Sequence, residues 1–146
     1  MRTATSSEFL TTRAWHTAAV GGQDVILRRT SALEFLQLFN GYMNEQRIDV
    51  YAKRHGGYEN INYHVVDSFD GIDYVRIGNV LCTSVSQTVN DMLAELGHID
   101  EQPLVEGLSK FYYMSGKSFD RLIIQPENME RFDSVKDWAI EYYDED

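Results

Sequence analysis

The chain has 146 residues, 43% hydrophobic and 12% aromatic, which is enough apolar surface for one packed domain and too much for a disordered chain. No run approaches the ~18 uncharged apolar residues that a bilayer span needs. The opening MRTATSSEFL lacks the apolar stretch of a signal peptide, so a cytoplasmic protein with no membrane role is expected. The net charge of −10 is uneven: residues 1–65 hold seven Lys/Arg and six Asp/Glu, whereas residues 66–146 hold six and seventeen. A second half of that sign repels duplex nucleic acid, which disfavours DNA binding, and attracts a basic protein partner.

In chain order, SSEFLTTRAWHTAAV suits a short helix behind a Ser6 or Ser7 cap, stopped at Gly21-Gly22. DVILRRT follows as a buried strand. Ser31 with Glu34 three residues on has the form of a capping box, predicting a second helix over ALEFLQLFN that closes at Asn40-Gly41. RIDVYAKR alternates with period two, Ile48 and Val50 against Asp49 and Tyr51, and NINYHVVDS repeats the pattern after a Gly56-Gly57 turn. Asp70-Gly71 and Gly78-Asn79 are two further turn signals, and together they predict a meander of short antiparallel strands through DYVRI and VLCTS.

From Val85 the period changes. Val85, Val89, Met92, Leu93 and Leu96 recur at i, i+4, i+7, i+8 and i+11, one stripe of a helix that Gly97 stops. Another helix begins near Pro103, buries Leu104, Val105, Leu108, Phe111 and Tyr112, and ends at Ser115-Gly116. RLIIQP reads as one more short strand. The last helix opens at Ser134 with Asp137 three residues on and buries Val135, Trp138, Ala139 and Tyr142. Without repeats or a Pro-rich linker, the order of elements implies a single α+β domain: a small mixed, largely antiparallel sheet with helices packed on it.

Several short constellations have ready structural explanations. SGKSF at 115–119 has the end of a phosphate-binding loop, but Phe111 stands where that loop needs glycine, and GKS follows a helix instead of preceding one. Asp67, Asp70 and Asp73 are three apart, not the two apart of an EF-hand loop, and a solvated hairpin turn at Asp-Gly explains them. The single cysteine, Cys82, lies in an apolar strand, and His16, His55, His64 and His98 have no zinc spacing, so neither a metal nor a cofactor is expected. Arg28, Arg29, Arg47, Lys53 and Arg54 form a candidate basic patch near strand ends. Asp49, Lys53 and His64 are the residues a nuclease or nucleotide-processing enzyme would use, although the strand after Asp49 supplies no Glu-x-Lys pair.

Helix 85–96 carries the most specific pattern. Ser84 and Gln87 suit a capping box, with Gln87 reaching back to the first amide. At 100° per residue, Asp91 points almost opposite the apolar stripe, and Thr88, Asp91 and Glu95 form a polar ridge, the candidate interaction surface. The segment Thr83-Ser84-x-x-Gln87-Thr88-Val89-x-Asp91-Met92-Leu93, preceded by Thr30-Ser31-Ala32-Leu33-Glu34-x-Leu36-x-Leu38, resembles the AbiEi-type antitoxins of type IV toxin-antitoxin systems. The resemblance runs from about residue 25 to 97, leaving 98–146 as a C-terminal helical part. Gln87 stands where that family commonly has Arg, and nothing matches its N-terminal winged helix-turn-helix.

The resemblance implies a non-enzymatic protein that counters a nucleotidyltransferase-like toxin, directly or functionally, while the missing winged helix-turn-helix removes the case for DNA binding by this chain. The acidic helices 85–97 and 134–143 would then be the first surfaces to consider for a direct complex. Two other classes compete with this reading. An enzyme would need Asp49, Lys53 and His64 to converge on one point. A non-catalytic interaction domain would expose an aromatic patch drawn from Tyr112, Tyr113, Trp138, Tyr142 and Tyr143.

Overall fold

The computed structural model describes residues 12–39 and 47–142. The expected Ser6 or Ser7 cap and the Asn40-Gly41 stop lie outside them. Helix α1 (Thr12–Val20) leads into β1 (Val25–Leu27), α2 (Arg29–Phe35), β2 (Ile48–Ala52), β3 (Ile61–Val65), β4 (Tyr74–Ile77) and β5 (Val80–Thr83). Three helices complete the chain: α3 (Val85–Ala94), α4 (Gln102–Met114) and α5 (Met129–Tyr142), the last entered through a 3-10 turn at Pro126–Asn128. This is the expected α+β architecture, and no helix among the described residues is long and apolar enough to cross a membrane.

The five strands form one mixed sheet in the order β3-β2-β1-β5-β4. β4 and β5 are an antiparallel hairpin through Gly78-Asn79, as predicted, and β1 pairs antiparallel with β2. The remaining two ladders are parallel: β1 with β5, and β2 with β3 in the register Ile48↔Ile61 to Ala52↔Val65. The Gly56-Gly57 segment is therefore a return loop and not a hairpin turn. Asp70-Gly71 is not a hairpin either, because β3 and β4 occupy opposite edges of the sheet. Residues 66–73 instead run as a strap from one edge to the other. Phe69 on that strap lies under the Lys53 ammonium, 4.8 Å from the ring centroid, and edge-on to Tyr74.

Strand alternation divides the sheet into two unlike faces. Val25, Leu27, Ile48, Val50, Ala52, Ile61, Val80 and Cys82 point to one face and pack with Trp15, Ala19 and Val20 of α1 and Ala32 and Phe35 of α2. A second apolar cluster lies among the helices, where Leu33 meets Val89, Met92 and Leu93 of α3, Leu104, Val105 and Leu108 of α4, and Phe132, Val135 and Ala139 of α5. Helix α2 contributes to both clusters. Gly107 lets α4 approach α2, since a Cβ there would lie 3.3 Å from both methyls of Leu33. At the far end of β1, Gly21 fits against Asn79, and the Gly22 amide donates to the Asn79 carbonyl at 2.8 Å, tying α1 to the hairpin turn.

Four local expectations need correction. Helix α2 starts at Arg29, so Ser31 lies inside it and makes no capping box; its Oγ accepts the Asp49 amide at 2.9 Å instead. RLIIQP is irregular chain because its backbone is held by side chains of α3, as described below. Helix α5 begins at Met129, a full turn before Ser134, whose hydroxyl donates to the Arg131 carbonyl. Trp138 is 49% exposed and not in the core.

Candidate functional site

The second face of the sheet is polar over β2 and β3, where the first is apolar. Asp49 and Tyr51 on β2, Asn62 and His64 on β3, and Arg28 at the end of β1 all project from it, brought level by the pairings Asp49↔Asn62 and Tyr51↔His64 and by the Arg28 amide donating to the Asp49 carbonyl. Arg28 is only 4% exposed; its guanidinium lies 4.5 Å from the centroid of the Tyr51 ring. Burying such a charge requires partners. Its Nη1 reaches Asp49 Oδ1 at 3.4 Å and its Nη2 reaches Glu95 Oε1 at 3.5 Å. Arg29 duplicates the arrangement, with Nη1 3.3 Å from Asp49 Oδ2 and Nη2 against Glu95. To direct this side chain, Arg29 adopts φ 51, a left-handed conformation costly for a residue with a long side chain.

Helix α3 supplies the other wall. Ser84 caps it as predicted, its Oγ accepting the Gln87 amide at 3.1 Å. Gln87 does not complete the box: its Oε1 accepts the Asp73 amide from the strap at 3.0 Å, and its Nε2 donates to Asp91 at 2.9 Å. Asp91 also accepts the Tyr51 hydroxyl at 2.7 Å. Burial, then the hydrogen bond to Asp91, pushes the Tyr51 phenol up to about 12.

The predicted ridge is therefore turned inward. Thr88 is fully buried, its hydroxyl 2.6 Å from that of Thr83 and 2.7 Å from the Ser84 carbonyl. Asp91 and Glu95 are only partly exposed and are engaged by Tyr51 and by the two arginines. The helix is amphipathic in an unusual sense: its apolar stripe meets other helices, and its polar side meets the polar face of the sheet.

The candidate basic patch does not assemble. Arg28 and Arg29 are consumed by Asp49 and Glu95. Arg47 bonds Asn62 Oδ1 at 3.0 Å at the start of β2, whereas Lys53 and Arg54 lie past its end, with Lys53 paired to Asp24 at 3.2 Å. Beside the arginines is a cleft of about 310 Å³ lined by Arg29, Ser31, Arg47, Asp49, Asn62 and Met92 among others.

Asp49, Lys53 and His64 do not converge. Lys53 lies past the end of the strand that carries Asp49, and each is engaged by an opposite charge. His64 stands edge-on to Tyr51 with ring centroids 5.4 Å apart, and burial, then the Arg28 charge, lowers its pKa below the ordinary 6.5. Burial pushes the Cys82 thiol up to about 12, so it is a packed sulfhydryl. Among the described residues no group of three His, Cys, Asp or Glu side chains is placed to hold a metal ion.

One polar centre escaped the sequence reading. Asn90 donates to the Ser86 carbonyl at 2.8 Å and the Ile123 carbonyl at 2.7 Å, while its Oδ1 accepts the Gln125 amide and the Asn128 side chain. Ser86 Oγ accepts the Ile123 amide. These bonds hold residues 123–125 against α3 without a strand partner. The available signal was a lone Asn on the shoulder of an apolar stripe.

No protein-family model matches this chain, and no curated protein sequence matches it.

Proposed function

We propose that this chain is an antitoxin-like protein of the AbiEi type, non-catalytic and cytoplasmic, that counters a nucleotidyltransferase-like toxin. One observation carries the reading: the two stretches that resemble the family, 30–38 and 83–93, form one packed unit. Leu33 and Leu38 share an apolar cluster with Val89, Met92 and Leu93, and the Thr83–Thr88 hydroxyl pair and Ser84 cap fix the start of α3. Arg28 and Arg29, immediately before the first stretch, clasp Glu95 just after the second. Motif residues that join two elements support a scaffold role over a catalytic one.

The decisive experiment is co-expression with a neighbouring nucleotidyltransferase gene. The proposal expects the chain to restore growth to cells producing that toxin. A toxin that kills equally with and without the chain would overturn it.

A further inference from the structure

The turn after α3 and the last turns of α5 border an open groove of about 620 Å³ lined by Gly97, Ile99, Asp100, Glu101, Trp138 and Tyr142 among others. Trp138 is the unexpected member. A tryptophan costs most to leave in water, yet this one is 49% exposed while Val135 and Ala139 on either side of it in α5 are buried. Among the described residues the lining includes no Lys or Arg, and Asp100 also borders the cleft lined by Arg29 and Arg47. Asp137 and Glu141, which neighbour Trp138 along α5, are exposed, and Asp100 and Glu101 face the same space. Among the described residues, the cation on the same stripe of α5, Arg131 two turns earlier, is directed to the Ala94 carbonyl at 3.4 Å.

An indole face beside carboxylates is the chemistry that recognises a guanidinium or ammonium group: the ring quadrupole attracts the cation while the carboxylates accept its hydrogen bonds. We infer that this groove docks a basic segment of a protein partner, with an Arg or Lys side chain over Trp138 and its charge against Asp100 and Glu101. Charge complementarity selects this occupant, because residues 66–146 carry the chain's excess of acid. A second copy of this chain docking by this same face would bring like charge to the same place. The inference rests on the chain's having a protein partner and not on that partner's being a toxin.

The test uses the whole chain and the peptide acetyl-Gly-Arg-Gly-Arg-Gly-amide at 0.15 M salt, with ¹H–¹⁵N shifts and tryptophan emission as readouts. Trp15 is 3% exposed and serves as the silent fluorophore. The expected result is a saturable shift confined to residues around 97–102 and 134–142. It should be absent with the matching glutamate peptide and lost in Trp138→Ala. The paired change Asp100→Asn with Glu101→Gln should weaken binding at least tenfold; Asn at 100 can still accept the Gln102 amide that Asp100 holds at 3.0 Å, so α4 keeps its start. Asp120→Asn with Glu127→Gln removes the same charge elsewhere and should weaken it less than threefold. Equal weakening by both pairs, shifts centred elsewhere, or no saturation would overturn the groove. Rescue of growth by a groove variant that no longer binds the peptide would separate this failure from failure of the antitoxin reading.

Discussion

The Tyr51 hydroxyl donates to Asp91 Oδ2 at 2.7 Å, joining the second strand of the sheet to the first helix after it across forty residues of chain. Because the acceptor is charged, the bond belongs to the stronger class, about 1.5–3 kcal/mol. Tyr51→Phe should lower the unfolding free energy by about 2 kcal/mol in urea titration, with unchanged circular dichroism. A loss below about 0.5 kcal/mol would mean that water replaces the hydroxyl at no cost.

The same pair sets an alkaline limit. The phenol is held protonated in the folded chain up to about 12 but ionises near 10.0 when unfolded. A raised folded value contributes stability that is complete below pH 10 and is lost as pH rises toward 12. Wild-type stability should therefore fall across that window more steeply than that of Tyr51→Phe, measured as midpoint against pH.

His64 has the opposite sign. Its folded pKa is depressed, so its contribution is present above 6.5 and is lost as pH falls through the folded value. NMR titration of the His64 ring should give a midpoint below 6.5. Burial is the larger cause and the Arg28 charge the next, so Arg28→Met should raise the midpoint in part; a midpoint that ignores Arg28→Met would leave burial as the cause and remove the Arg28 charge from it.

Arg28→Met should be the most damaging single change on the polar face. It leaves Asp49 partly buried with one guanidinium where it had two, and breaking a buried pair costs about 3–5 kcal/mol. The remaining Arg29 bonds place the expectation near the lower end, about 3 kcal/mol by chemical denaturation. Arg29→Met, at a position more exposed than Arg28, should cost less.

Thr83 and Thr88 offer a cycle. Thr88→Val strands the buried Thr83 hydroxyl and should cost about 1–2 kcal/mol, Thr83→Val should cost less because Thr88 still donates to the Ser84 carbonyl, and the double change removes both hydroxyls and should recover part of the Thr88→Val loss. Strict additivity in thermal denaturation would show that the 2.6 Å contact contributes nothing.

The elements governed by local chemistry were legible from the residues alone. The Ser84 cap, the Gly78-Asn79 hairpin and the stops at Gly97 and Gly116 depend on neighbours within four positions, and φ values of 62, 95 and 73 at the three glycines show why glycine stands there. Pairing direction was not legible: alternation in NINYHVV is the same whether β3 runs with β2 or against it. Ser31 has the spacing of a cap but serves β2, because α2 starts two residues earlier. The polar side of α3 was assigned outward because a helical wheel sees one apolar stripe and takes the rest for solvent. Here the rest meets Tyr51, Arg28 and Arg29, contacts made across forty to seventy residues that no local window contains.

The central place of β1 fixes a timetable. Residues 25–27 are synthesised before their parallel neighbour β5 at 80–83, and until those residues leave the ribosome one side of the strand has its amides and carbonyls unpaired. Helix α3, which brings Glu95 to the Arg28 and Arg29 charges, arrives later still. A nascent chain paused before residue 80 therefore holds two guanidiniums without Glu95 and an apolar strand open along one edge, a state that invites chaperone capture.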